Sequence, residues 1–255
     1  MSVLKSFVIA FSMYSKIPMP QFAWKEKDMR YVMIFFPWVG IVLGACVFFW
    51  GMLCERAGFG ALLATAFGTA LPLLVTGGIH VDGFMDTMDA LHSYQEREKK
   101  LEILKDAHIG AFSVICLVVY YLLYFGFYSE IHGEKAFFVL AAGFYLSRIL
   151  SAIGVVSFRA AKSEGLLYLF SDTAQKKTVC FWLYLQFAVC TGLLFYTNGI
   201  SGGITVLISL GWLFLYRGKC EKEFGGTTGD TAGFFLSISE LLTVMAAGIF
   251  GIIGG

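Results

Sequence analysis

Charge is what this chain has least of. Asp, Glu, Lys and Arg make up 15% of its 255 residues, against roughly 25% in an ordinary soluble domain. That argues against a water-soluble fold. An excess of either sign is missing too: 19 Lys and Arg face 18 Asp and Glu, for a formal net charge of +1. Nothing therefore points to a nucleic-acid partner or to an acidic solvating tail. The six cysteines, Cys46, Cys54, Cys116, Cys180, Cys190 and Cys220, include no CxxC and no Cys/His cluster. Most lie in apolar runs, where a thiol behaves as a small hydrophobe, so neither zinc nor a disulfide framework is expected. The short apolar stretch from Phe7 to Phe11 has no small-residue cleavage site after it and runs on to Pro18 and Pro20, which argues against a signal peptide. Internal repeats, low-complexity tracts and linkers are absent, so 1–255 reads as one domain built across a membrane.

What is abundant is apolar surface: 58% of the residues are hydrophobic and the mean hydropathy is +0.74. A hydrocarbon core of about 30 Å takes about 20 apolar residues per helix. Seven stretches approach that length, near 31–52, 57–79, 110–129, 136–157, 178–197, 200–216 and 234–253. An all-α, polytopic transmembrane bundle of about seven spans is the expectation. The fifth and sixth stretches are separated only by the turn-like cluster Asn198, Gly199, Ser201, Gly202 and Gly203. Basic residues collect on the cytoplasmic side of membrane proteins. With the N-terminus inside and the C-terminus outside, sixteen of the 19 Lys and Arg fall in inner segments, Arg56 and Lys135 fall outside, and Arg148 lies within a span. Two inner segments, 80–109 and 217–232, are long enough to carry chemistry, so the functional face is expected to be cytoplasmic. Gly40 and Gly44, one turn apart, would let helices approach closely.

The chemistry-bearing residues cluster on that face. Asp82, Asp86 and Asp89 stand at i, i+4 and i+7, a spacing that puts three carboxylates on one side of a helix. Three anions at a membrane boundary repel one another, and a cation that neutralises them gives the arrangement its sense. Oxygen-only ligands suit Mg²⁺ or Mn²⁺, which hold substrate phosphates through carboxylates and water. A solvated acidic turn is the plainer reading. Gly83 beside the first Asp and the lack of interspersed lysines favour the metal. Lys105, Asp106 and His108 precede the third stretch. Lys105 could pair with a phosphate and Asp106 could join the metal shell, unless the three merely cap a membrane helix.

The run Glu96 to Lys100 alternates in sign and reads as a solvated helix surface with no assigned role. A third element, Gly226-Thr227-Thr228-Gly229-Asp230, opens the last span. Backbone amides in such a loop, at a helix N-terminus, can cradle phosphate oxygens while Asp230 ligates a cation. It lacks the Lys-Ser/Thr pair of a P-loop. Two charges, Arg148 and Glu240, fall inside spans, where burial is costly, and they either pair with each other or touch substrate.

Taken in order, His80-Val81-Asp82-Gly83-Phe84-Met85-Asp86-Thr87-Met88-Asp89-Ala90, the segment Leu101 to Gly110, and Gly226 to Asp230 resemble the cobalamin synthase family, the adenosylcobinamide-GDP ribazoletransferases. Ser15-Lys16-Ile17-Pro18 and Phe36-Pro37-Trp38-Val39-Gly40 extend the resemblance over nearly the whole chain. It implies a single integral membrane transferase domain in the cell inner (plasma) membrane, with its site facing the cytoplasm. The implied donor is adenosylcobinamide-GDP and the implied acceptor is α-ribazole or its 5′-phosphate. An acceptor hydroxyl attacks the donor phosphate and GMP leaves, late in cobalamin biosynthesis.

On this reading Asp82, Asp86, Asp89 and Asp230 hold one or two Mg²⁺, with Mn²⁺ as a substitute, and His80 or one of the carboxylates takes the acceptor proton. Lys105, Asp106, His108, Arg148, Glu240 and the residues from Gly226 to Gly229 are left to contact substrate. Oligomeric partners, whether further copies or other enzymes of the same biosynthesis, stay open. The chain departs from the family pattern at Lys16 and His108, where arginine is expected, and at Ala232, where a bulkier apolar residue is expected. Rival readings are a CDP-alcohol phosphotransferase of phospholipid synthesis, whose DGxxAR signature is not matched here, a membrane prenyltransferase, and a transporter. Against a transporter, no inverted repeat is visible and the acids lie at the boundary.

Overall fold

The computed structural model describes residues 2–163 and 165–254. It is all-helical, and among the described residues the only extended pairing is one bridge between Ala160 and Thr227. Helices α1 (Ser2–Tyr14) and α2 (Glu26–Met29) precede the first long span, α3 (Val32–Ala57). Then come α4 (Ala61–Thr76), α5 (Ile79–His92), α6 (Arg97–Ile103), α7 (Ala111–Tyr128) and α8 (Gly133–Ser157). The chain finishes with α9 (Leu166–Thr173), α10 (Lys176–Thr197), α11 (Gly199–Phe224) and α12 (Gly229–Gly254). Six helices, α3, α7, α8, α10, α11 and α12, are long and apolar enough to cross a bilayer, and α4 with α5 forms a seventh, bent unit. The helical bundle expected from hydropathy is the observed architecture, with six such helices among the described residues, or seven if the bent pair counts as one span.

The second span departs from expectation. The apolar run near 57–79 does not continue straight into the acidic segment, because the chain turns by 94° between α4 and α5. Gly77 and Gly78 make the turn with φ of +70° and +83°, a left-handed conformation that other residues adopt only at a cost of about 1–2 kcal/mol each. Gly78→Ala is therefore expected to lower stability by about that amount. The added side chain has room, with Leu73 Cδ2 3.7 Å from where its Cβ would stand, so the loss reports backbone strain alone. A thermal melt in detergent checks it; an unchanged melting temperature would show that the turn is not strained.

The inner segments also prove more helical than loop-like. Residues 80–109 are largely α5 and α6, and α11 continues to Phe224, leaving Gly225 to Thr228 as the only connection before α12. Between α10 and α11 the break falls at Asn198, whose side chain accepts the amide of Ser201 at 3.3 Å as an N-cap.

The most enclosed span is α8, which packs most extensively on α3 and then on α12, α10 and α11. Gly40 and Gly44 explain the first contact. A Cβ at Gly40 would stand 2.4 Å from the Phe144 carbonyl oxygen, and one at Gly44 2.4 Å from that of Ala141. The two backbones therefore touch where side chains are absent. Outward rows such as Ile115, Val118, Val119 and Leu122 on α7, and Phe181, Leu185 and Val189 on α10, are exposed and apolar, as a lipid-facing surface requires.

Polar connections sort to the two ends of the bundle. At one end Lys100 pairs with Glu223 at 2.5 Å, Arg97 donates to the Glu221 and Lys222 carbonyls, and Lys162 reaches the Leu101 carbonyl. At the other end the Gly133 amide donates to Glu55 at 2.6 Å, and Gly251 packs against the Glu130 carbonyl. The far part of α12 thus shares an end with the α7–α8 connection, opposite the acidic helix. Gly255, assigned with the C-terminus to the outside, lies beyond the described residues.

Candidate active site

The acidic helix and the start of α12 touch through their backbones. A Cβ on Gly83 would lie 2.7 Å from the Asp230 carbonyl, and one on Gly233 would lie 2.8 Å from that of His80. Two glycines face to face remove the side chains that would hold α5 and α12 apart, and Asp82 and Asp86 come to lie beside Asp230. Asp86 is half-buried, and burial together with the charges of Asp82, Asp230 and Asp89 pushes its carboxyl up to about 6. Asp230 in turn feels the positive charge of Lys162.

Asp89, expected to join the metal ligands, has a second occupation. Its two oxygens accept the amides of Gly110 at 2.7 Å and Ser113 at 2.9 Å, so it caps the N-terminus of α7. Asp230 stands in the first turn of α12, behind a reciprocal cap in which the Thr228 amide donates to Thr231 Oγ1 at 2.8 Å and the Thr231 amide to Thr228 Oγ1 at 3.2 Å. The Gly/Thr loop before it is engaged within the protein. The Gly226 amide bonds the Cys220 carbonyl and the Thr227 amide bonds that of Arg159, while the Ala161 amide returns to Thr227. Of the loop, Thr227, Thr228 and Gly229 line a cavity.

Two cavities meet here. The polar one, about 390 Å³, is lined by Lys105, Lys162, Tyr168 and the Thr227–Asp230 segment. Its apolar neighbour, about 210 Å³, is lined by Tyr14, Phe36, His80, Asp82 and Phe170 among others. They share Leu166 and Leu167 of α9, together with Gly229 and Asp230. The arrangement offers cationic amines for an anionic group on one side, an apolar slot on the other, and carboxylates between.

Lys105 therefore reaches the site, whereas Asp106 and His108 bond each other at 2.6 Å in an exposed turn and line neither cavity. The hydrogen bonds from the His108 ring and amide hold the Asp106 carboxyl below its usual range. His80 is buried, with its ring against Tyr14 and Phe36 and its Nε2 without a hydrogen-bond partner. Arg148 and Glu240 pair with each other at 2.5 Å deep in the bundle. Arg148 also donates to the Phe144 carbonyl and Ser147 Oγ, and its charge is felt at His80. Lys162, Tyr168 and the α9 leucines carry no local motif. They arrive through the Ala160–Thr227 bridge, and their one trace in the sequence is the basic character of the 158–177 segment.

Among the described residues, no three His, Cys, Asp or Glu side chains converge closely enough to ligate one ion directly. Mg²⁺ does not need such a cage: it keeps several waters and binds through one or two carboxylates plus substrate phosphates. Asp82 and Asp86 facing Asp230, with a raised proton affinity at Asp86, fit that open mode.

The cobalamin-5-phosphate synthase family matches residues 6–248. An adenosylcobinamide-GDP ribazoletransferase of Lachnoclostridium phytofermentans is 43% identical over 248 residues, covering 96% of this chain and 94% of its own length. One of Clostridium botulinum is 33% identical with 98% and 99% covered, and one of Clostridium perfringens 30% identical with 96% and 98% covered. No solved structure matches the chain. The match runs from α1 through the acidic helix to the far part of α12, and the chain belongs to the cobalamin-5-phosphate synthase family.

Proposed function

We propose that the chain is an adenosylcobinamide-GDP ribazoletransferase, joining the adenosylcobinamide phosphate of its donor to a hydroxyl of α-ribazole or its 5′-phosphate and releasing GMP. The observation that carries this reading is the backbone contact at Gly83 and Gly233. It sets Asp82 and Asp86 beside Asp230, between a lysine-lined cavity and an apolar one. Phosphoryl transfer asks the protein mainly for positioning and charge stabilisation, and such a site supplies both.

Lys105 and Lys162 line the cavity that receives the anionic part of the donor. The acceptor oxygen attacks the phosphorus that bears the cobinamide, the bond from that phosphorus to the oxygen bridging to GMP breaks, and GMP departs with that oxygen. The hydroxyl proton passes to one of the carboxylates or to His80: Asp86 has the raised proton affinity, while His80 has a buried Nε2 with no other partner and an affinity held down by burial and the Arg148 charge. One or two of Asp82, Asp86 and Asp230 would hold Mg²⁺, with Mn²⁺ as a substitute and water and substrate phosphate completing its shell, and Asp89 supports them as the cap of α7. When bound, the cation supplies neutralisation of the diphosphate and of the leaving phosphate.

The site faces the cytoplasm in the inner membrane, with the N-terminus inside and the C-terminus outside. The grouping of sixteen basic residues with the acidic helix supports this orientation. A cysteine placed at Gly133 should react with an impermeant thiol reagent from outside, and labelling only from the cytoplasm would reverse the assignment.

The activity is tested with purified protein in detergent, the donor, α-ribazole and Mg²⁺, reading GMP by chromatography. GMP should appear in step with the joined corrinoid, and chelation with EDTA should stop it. Release of CMP from CDP-activated alcohols, with none of GMP, would favour the phospholipid-type phosphotransferase instead.

A further inference from the structure

The apolar cavity has a wall unlike anything the phosphates require. Tyr14, Phe36, His80 and Phe170 bring four rings to it, and Met13 and Met33 add two flexible thioethers. The Tyr14 and Phe36 rings lie 4.4 Å apart, and Tyr14 stacks on His80 at 6.2 Å with 20° between planes. Tyr14, Phe36 and His80 thus form one continuous aromatic surface, and Phe170 adds a fourth ring to the lining. Carboxylates occur only at Asp82 and Asp230, the latter shared with the lysine-lined cavity, so the charged part of the lining marks the junction of the two. The volume of about 210 Å³ is of the size of a fused two-ring heterocycle and far too small for a corrin macrocycle.

We propose that this cavity seats the flat heteroaromatic base of the acceptor nucleoside, with Tyr14, Phe36 and Ala232 setting which bases enter. The inference rests on the transferase reading above. A neutral aromatic base stacks on ring faces with little regard to its substituents, and methionine side chains adapt to irregular outlines. A sugar joined to such a base emerges at the junction, where the acceptor hydroxyl meets His80 and the carboxylates. Ala232, half-buried on the same wall, is the small residue that leaves the slot its width. It sits one residue before Gly233, whose contact with α5 fixes that wall in place.

The test is a size comparison. GMP release is measured for wild type and Ala232→Leu with two acceptors, one carrying a fused two-ring base and one a single-ring base, and with the donor varied separately. In Ala232→Leu the ratio of kcat/KM for the two-ring over the single-ring acceptor should fall about tenfold, with the donor KM within about twofold. Tyr14→Leu should weaken both acceptors by about tenfold through lost stacking, with the donor KM again unmoved. Equal losses on both acceptors in Ala232→Leu, or a rise in donor KM alone, would overturn the proposal and give the cavity to another group. Absence of GMP release from wild type with either acceptor would instead count against the transferase reading. In that event benzimidazole binding, read from quenching of the protein's fluorescence, still decides the slot: binding weakened in Ala232→Leu supports it, and no binding to wild type refutes it.

Discussion

Asp86→Asn is expected to lower the rate of GMP release by about 10²–10³-fold, the cost of removing one electrostatic partner from a transition state that develops charge. The substitution keeps the shape of the side chain and removes its charge at the centre of Asp82, Asp89 and Asp230. If those anions were only a solvated turn, neutralising one would relieve repulsion, and activity would survive. The same residue gives the wild type a pH signature. With its carboxyl at about 6 in the absence of a cation, protons and Mg²⁺ compete for it. Protonation wins as the pH falls through that value, so apparent Mg²⁺ affinity should drop by up to tenfold per unit below it. Asp86→Asn should flatten that step. A metal titration of turnover at pH 5 to 8 reads both effects. Near-wild-type rates for Asp86→Asn at low Mg²⁺ would sink the assignment.

A second large effect is expected in the core. Arg148 and Glu240 are both buried and joined at 2.5 Å. Arg148→Met leaves a carboxylate enclosed without its counter-charge, at a cost of about 3–5 kcal/mol, which corresponds to a fall on the order of 10 °C in detergent melting temperature. Glu240→Leu alone should cost as much, by stranding the guanidinium. The double variant Arg148→Met, Glu240→Leu should recover most of the loss, because replacing both partners with apolar groups removes the desolvation penalty along with the attraction. Additive losses in the double variant would show that the two residues act separately. Turnover of the double variant then separates a structural pair from a substrate contact: the pair alone predicts recovered activity.

Hydropathy made the bundle legible because crossing a bilayer is a one-dimensional requirement: enough apolar residues in a row. The spacing of Gly40 and Gly44 pointed separately to a close helix approach, and α8 is the helix that makes it. Hydropathy could not find the 94° turn, since a summed scale is blind to the φ of Gly77 and Gly78. At the site, the three aspartates were visible as one face of a helix, but their division of labour was not. Asp89 caps α7 because Gly110 and Ser113 happen to fold back onto it, a tertiary fact. Lys162 and α9 were beyond local pattern, brought in by the pairing of Arg159 to Ala161 with Thr227, 68 residues along the chain. The loop expected to cradle phosphate instead has its Gly226, Thr227 and Thr228 amides bonded to the Cys220 and Arg159 carbonyls and to Thr231 Oγ1, partners that local sequence does not show.

The brevity of α4 bears on the membrane itself. Its 16 residues span roughly 24 Å at 1.5 Å each, yet its C-terminal end is level with the end of α1, where the Lys16 amide donates to the Val75 carbonyl at 2.8 Å. Against a hydrocarbon thickness of about 30 Å, the shortfall is roughly 6 Å, a mismatch that lipid meets by thinning around the short helix. Such thinning would form a depression in the bilayer surface beside the acidic helix, which follows α4 directly. The depth of that depression depends on acyl-chain length, which makes the host membrane's thickness part of the environment of the reacting phosphate.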